Sequence, residues 1–233
     1  MSENSVCIYC LKDDSETKGL EHVIPESLGY KGTLPKGCVC DKCNNYFSDI
    51  DHIILKNRYI ALSVGTGQIP GKKGKIRERI GEKLSFPEKD HFSLESDPIT
   101  LDKGTLKESY DFKFSQDKTF DEFKFARGIF KCAFNYYAFK NDQRAALNYK
   151  FNNLRKYTRS ADKNEFWKYA VKLYSNEFFI KGEIVGFNIL ELGFLVSLIK
   201  DEEKIKSIAR NNGYIMVNYS NQWNESSFLG LKI

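Results

Sequence analysis

The chain has no run of about 18 consecutive apolar residues, the length a helix needs to cross a bilayer. Its first residues, Met1-Ser2-Glu3-Asn4-Ser5, have neither the charged nor the apolar region of a secretory signal. The expectation is a cytoplasmic protein with no membrane partner. Internal repeats and low-complexity linkers are missing, so nothing suggests a repeat array. Histidine is scarce: His22, His52 and His91 are the 3 in the chain, so imidazole chemistry has few candidates. With 6 cysteines in 233 residues, the chain does not resemble the disulfide framework of a small secreted domain. The length allows one large domain or two modest ones with a real core. A net charge of +5 permits a nucleic-acid partner without requiring one.

Four of the cysteines fall into two pairs, Cys7-x-x-Cys10 and Cys40-x-x-Cys43. Two intervening residues let both thiolates of a pair reach one ion from a tight turn. Four thiolates complete the closed tetrahedral shell of a structural zinc. The gap between the pairs exceeds the commonest zinc-ribbon spacing, so a small substructure must fit inside it. The competing reading is four unrelated buried thiols, since free cysteine behaves as a small hydrophobe. Cys38, two residues before Cys40, can compete as a ligand. Cys132 lies in an apolar helical pattern and is expected to be a core thiol.

Along the chain, Val6-Cys7-Ile8-Tyr9-Cys10 reads as a short strand and knuckle. Gly19-Leu20-Glu21-His22-Val23-Ile24 reads as a second short strand, stopped by Pro25, which cannot donate to a central ladder. Glycines and a proline between Leu28 and Gly37 turn the chain back into a brief strand at Cys38-Val39-Cys40. From Asp41, a suitable cap, Phe47, Ile50, Ile54 and Leu55 follow near one helical face. Glycine-rich, basic sequence follows, in which Lys72, Lys73, Lys75, Arg77 and Arg79 are candidate phosphate contacts; a solvated loop is the alternative. Weak alternation to about Ser115, as in Tyr110-Asp111-Phe112-Lys113-Phe114, suggests one or two strands. Phe123, Ala126, Phe130, Ala133, Phe134 and Tyr137 then recur at helical spacing and predict a helix buried on one side, more a core stripe than a base-stacking surface. A second helix is predicted from Asn164 to Tyr174. Segments 177–180, 184–189 and 214–219, bounded by Gly182 and Gly213, read as strands. The expected organisation is a metal-organised module over residues 1–62, a basic linker with strands over 63–115, and an α+β domain over 116–233 that positions DNA or dimerises.

Between the cysteine pairs stand groups able to do acid–base chemistry. Hydrolysis of a phosphodiester needs an activated water, charge stabilisation on the phosphate and help for the leaving oxygen; one divalent cation can supply the last two while an imidazole takes the proton. His22 can be that imidazole. Glu21 can ligate the cation, although neighbours on a strand point to opposite faces unless it twists. Asn44, directly after the last cysteine of the second pair, offers a neutral oxygen, and the set suits Mg²⁺. Asp49 and Asp51 are read as solvated helix surface, and His52 and His91 as incidental.

The run Cys7-x-x-Cys10, Leu20-Glu21-His22-Val23-Ile24-Pro25-Glu26-Ser27-Leu28-Gly29 and Val39-Cys40-Asp41-Lys42-Cys43-Asn44-Asn45-Tyr46-Phe47 resembles the HNH endonuclease family over roughly residues 5–60. The resemblance implies an α+β protein whose small zinc-stabilised ββα-metal domain precedes a mixed helix/strand C-terminal domain. It implies structural Zn²⁺ on Cys7, Cys10, Cys40 and Cys43, His22 as general base, and Glu21 and Asn44 as ligands of a catalytic Mg²⁺ or Mn²⁺. The family's middle asparagine, which ties down the hairpin loop, is replaced here by the Leu34-Pro35-Lys36 neighbourhood, so another group must fix that loop. Asparagine at position 44, where the family often has histidine, favours Mg²⁺ or Mn²⁺ over softer metals.

The expected function is a metal-dependent endonuclease acting on DNA, double-stranded by preference, with paired cuts favouring a homodimer and with restriction or phage defence as the role. The alternative is a zinc-stabilised nucleic-acid-binding protein without catalysis, for which the four cysteines suffice.

Overall fold

The computed structural model describes residues 6–13, 17–67, 69–70, 79–80, 84–85, 93–94, 120–162, 165–173 and 175–217. In the first of these segments the chain is ordered by turns more than by strands. A bridge between Val6 and Asp13 closes the first cysteine turn, where Leu11 N donates to Cys7 O at 2.9 Å. A second bridge pairs His22 with Thr33, flanked by Val23 N to Gly32 O (2.9 Å) and Leu34 N to Glu21 O (2.8 Å). Of the three short strands expected here, the first two are reduced to isolated bridges, and Cys38-Val39-Cys40 forms neither strand nor bridge. Pro25 ends the ladder because it has no N–H, and a 3₁₀ turn at Glu26–Leu28 leads the chain away through Gly29, whose φ of 84° suits glycine. Ile8 N to Cys38 O at 2.9 Å ties the two cysteine-bearing turns together.

Helix α1 (Asp41–Lys56) starts directly after Cys40. The sequence favours Asp41 as its cap, but Cys40 occupies the cap position and Asp41 is the first helical residue. The Asp41 carboxylate instead accepts from Lys18 N and Gly19 N, at 3.0 and 3.1 Å, and so holds the preceding loop. Phe47, Ile50, Ile54 and Leu55 are buried along α1, as their spacing predicts. Helix α2 (Arg58–Thr66) follows, capped by the Asn57 side chain, which accepts from Ile60 N at 3.2 Å. Strands β1 (Arg79–Ile80), β2 (Leu84–Ser85) and β3 (Ser93–Leu94) form a small antiparallel sheet. Of the basic candidates, only Arg79 falls on a described residue, in β1; Lys72, Lys73, Lys75 and Arg77 lie outside the described residues, as does the stretch at 110–114.

Helix α3 (Glu122–Asn141), capped by Asp121, is the centre of the molecule. The predicted stripe of Phe123, Ala126, Phe130, Ala133, Phe134 and Tyr137 is buried, but so are Arg127, Lys131, Asn135 and Tyr136 on its other sides. The helix is enclosed all round because α1 packs on one side and the C-terminal elements on the others. Gly128 allows the α1 contact, since a Cβ there would lie 2.9 Å from the Ile54 side chain. Helices α4 (Gln143–Ala146) and α5 (Asn152–Arg159) follow. Gln143 Nε2 donates to Val6 O and Arg155 Nε to Ile8 O, both at 2.7 Å, so they grip the first cysteine turn from outside.

The helix predicted over residues 164–174 is absent from the described residues there; Tyr169–Leu173 is instead strand β4. Its backbone pairs with a strand on each side, and its β-branched and aromatic residues fit a sheet, so ladder partners outweighed a short run of helical spacing. The remaining strands are β5 (Phe179–Lys181), β6 (Ile184–Ile189), β7 (Leu192–Ser197) and β8 (Ile215–Val217), with helix α6 (Glu202–Asn211) between β7 and β8. The antiparallel order is β5-β6-β7-β4-β8. Every residue of β6 and β7 is buried, as befits a sheet covered on both faces. Phe194 faces Phe125 of α3, while Leu195, Ala170 and Ile184 pack with Ile205 and Ala209 of α6. One apolar cluster runs from Cys7 through α1 and α3 to Val217.

Candidate active site and metal centre

The Sγ atoms of Cys7, Cys10, Cys40 and Cys43 all lie within 4.8 Å of one another, and those of Cys10 and Cys40 are 3.7 Å apart. Zinc–sulfur bonds of about 2.3 Å in a tetrahedron place sulfurs roughly 3.8 Å from each other, so the cluster has the size and chemistry of a structural zinc site. The bond from the Cys43 thiol holds Cys7 down to about 4, with the backbone N–H groups of Cys10, Cys40 and Tyr9 assisting against burial; the same bond raises Cys43. One thiolate is thus favoured before any ion arrives. Cys38 stands outside this set, its thiol pushed up to about 11 by burial, with Asp142 and Cys7 adding to the shift. Cys132 is a fully buried core thiol, raised by burial. All six cysteines are free of disulfides.

Glu21 and His22 point to opposite sides of their short strand. Glu21 is 4% exposed and turned toward α3, whereas the His22 side chain is 25% exposed. His22 Nε2 lies 3.6 Å from Glu26 Oε2, too far for a hydrogen bond but close enough to feel the charge. Asn44, half-buried on the first turn of α1, packs against the loop leading into this strand: a Cβ on Gly19 would meet its Nδ2 at 3.0 Å. Asp41 holds the same glycine. In this way the start of α1 is joined to the strand that carries Glu21 and His22.

The partners of Glu21 come from α3. Lys131 Nζ is 2.5 Å from Glu21 Oε1 and 2.8 Å from Asp51 Oδ1, and Asn135 Nδ2 donates to Glu21 Oε1 at 3.0 Å. Burial drives the Lys131 pKa down, but Asp51 and Glu21 more than reverse this and the net shift is upward. Burial pushes Glu21 up while Lys131 opposes it. A charged lysine between two carboxylates is the state these contacts favour. Asp51, read from sequence as solvated surface, is thereby part of a buried ion network, because α3 lies over that face of α1. His52 and Asp49 are exposed, and His91 lies outside the described residues.

Lys131 and Asn135 were missed by sequence reasoning. They interrupt the run Phe130-Lys131-Cys132-Ala133-Phe134-Asn135-Tyr136 in a helix too apolar to be one-sided. A helix buried all round must satisfy each polar side chain it carries, and that was the available signal. Asn135 also donates to the backbone carbonyl of His22 at 3.0 Å, and its Oδ1 accepts from Tyr9 OH at 2.7 Å.

Residues 7–58 match the family model described as HNH endonuclease. No match was found among curated proteins or among solved structures. The match points to a nuclease-type function and a nucleic-acid substrate, and it covers the cysteine cluster, Glu21, His22 and Asn44. Among the described residues no helix is long and apolar enough to cross a membrane.

Proposed function

We propose that the protein is a metal-dependent HNH endonuclease that hydrolyses phosphodiester bonds of DNA, with His22 as the general base. One observation carries this reading: within the segment that matches the family, a partly exposed imidazole stands on a strand bridged beside a complete four-cysteine cluster. A neutral imidazole partly open to solvent can take a proton from an attacking water.

The catalytic Mg²⁺ or Mn²⁺ would be held by Glu21 and Asn44. Both bonds from α3 fall on Oε1 of Glu21, leaving Oε2 for a cation, and an oxygen-only donor set suits these hard metals. When bound, the cation supplies charge stabilisation to the phosphate and leaving oxygen. Lys131 acts differently, by opposing the upward push of burial on the Glu21 carboxyl. Duplex DNA as substrate, the basic stretch from Lys72 to Arg79 as a phosphate contact, a homodimer for paired cuts, and a role in restriction or phage defence complete the proposal. The domain division at about residues 62 and 115 belongs to it as well, the last part serving to position DNA or to dimerise.

A second reading, a zinc-stabilised nucleic-acid-binding protein without catalysis, is favoured by one contact. Lys131 already neutralises Glu21, so the carboxylate is not waiting for a cation. Plasmid cleavage with Mg²⁺ or Mn²⁺, with and without chelator, decides between the two. His22→Ala is expected to lower metal-dependent cleavage by about 10²–10⁴-fold while zinc content and DNA affinity stay near parental values. A variant that cuts as fast as the parent removes His22 from the mechanism; a parent that binds DNA and never cuts it establishes the second reading.

A further inference from the structure

We propose that Asn135 of α3 is a positioning residue for the His22 centre, its single buried carboxamide fixing the His22 backbone carbonyl and the Glu21 carboxylate together. The proposal rests on the reading of His22 as general base. Its starting point is the poverty of the strand that carries the imidazole. The bridge to Thr33 uses Glu21 O and Val23 N, not the carbonyl of His22. That carbonyl takes its bond from Asn135 Nδ2, which is 113 residues away in sequence.

The orientation of the amide follows from its surroundings. Glu21 Oε1 and His22 O are acceptors only, so the –NH₂ must face them, and its two N–H groups are both used. The remaining oxygen accepts from Tyr9 OH, which lies between Cys7 and Cys10. Asn135 is fully buried, with no water-facing alternative for any of these bonds. One side chain therefore locks the first cysteine turn, the carboxylate and the main chain of the imidazole-bearing residue into one frame. Lys131 cannot substitute for it, because its ammonium is engaged by Glu21 and Asp51.

A reacting group displaced by about 1 Å can lose on the order of 100-fold in rate, and that is the loss expected here. The test compares Asn135→Leu, similar in volume but without hydrogen bonds, with Cys132→Ala, which disturbs the buried core of the same helix yet leaves every bond of Asn135 in place. Asn135→Leu is expected to lower kcat about 100-fold at unchanged KM and one zinc per chain, and Cys132→Ala to stay within about threefold of the parent. Equal losses in the two variants, or a loss that tracks zinc content, would reduce Asn135 to ordinary packing. Imidazole NMR signals of His22, assigned by their disappearance in His22→Ala, give a readout independent of turnover. They should shift or broaden in Asn135→Leu and not in Cys132→Ala. If the parent does not cut DNA, the nuclease reading fails and these signals alone decide: an unchanged His22 ring in zinc-loaded Asn135→Leu overturns the proposal. Should the leucine variant not take up zinc, Asn135→Ala, which removes the carboxamide without placing an apolar branch or a charge beside Glu21, is read in the same way.

Discussion

The strand carrying His22 and the strands β6 and β7 are built on opposite plans. Strands β6 and β7 pair over six residues each, Ile184↔Ser197 through Ile189↔Leu192, and bury every side chain between α3 and α6. The His22 strand has one bridge, and its order comes from elsewhere: the cysteine cluster, the Asp41 carboxylate, and Asn135 and Lys131 reaching across from α3. A sheet with its own ladder and two apolar faces is held by area. A strand with neither is held by particular polar atoms, so its position is more exposed to single substitutions and to metal loss.

Removing the zinc should break the comparison most widely. Structural zinc contributes on the order of 10 kcal/mol or more to small metal-organised modules, and the order of residues 7–58 is expected to depend on it. Cys43→Ser, or chelation of the parent, is expected to abolish zinc binding and to speed amide exchange around Cys7 and His22 well before that in β6 and β7. Full zinc in Cys43→Ser by elemental analysis would point to a replacement ligand, with Cys38 nearest in sequence to Cys40. Equal acceleration of exchange in both regions would show that the two plans unfold as one.

Lys131→Met sharpens the contrast from the side of charge. It leaves the buried Glu21 with the Asn135 bond but without its cationic partner, and should cost about 3–5 kcal/mol in denaturant unfolding. Adding Glu21→Gln should recover much of that loss, since it removes the uncompensated charge; a double variant as unstable as the single one would place the effect in packing instead. Gly128→Ala probes the joint between the two regions. A methyl meeting Ile54 at 2.9 Å should destabilise by about 1–3 kcal/mol, and a neutral result would mean that α1 shifts freely on α3.

The smallest effect is expected at Asp41, which is partly exposed. The backbone N–H groups of Gly19 and Lys18 lower its pKa below the ordinary carboxylate value. A carboxylate depressed by folding adds stability that is complete above its unfolded pKa, near about 3.9, and is lost as pH falls through the lower folded value. Asp41→Asn should therefore narrow its gap to the parent only in acid, below about pH 4. A gap that persists unchanged to lower pH would assign the role of Asp41 to shape rather than charge.

Sequence by itself determined the metal cluster, because Cys-x-x-Cys geometry is local and two such pairs have one economical use. It also determined α1, the apolar stripe of α3 and most of the C-terminal strands, whose periodicity needs no knowledge of the partner. It pointed to Glu21, His22 and Asn44 by chemistry and by resemblance. The structure then placed Glu21 inward and His22 outward, as adjacent strand residues require. Tertiary structure alone decided what depends on a second element. Tyr169–Leu173 became a strand because ladders were available on both sides. Asp51 entered an ion network because α3 lies over it. The Glu21 carboxylate and the His22 carbonyl took a shared partner in Asn135 of α3. In each case the deciding atom belongs to a residue far along the chain, and a burial or hydrogen bond between distant residues leaves no periodic mark in either one's own neighbourhood.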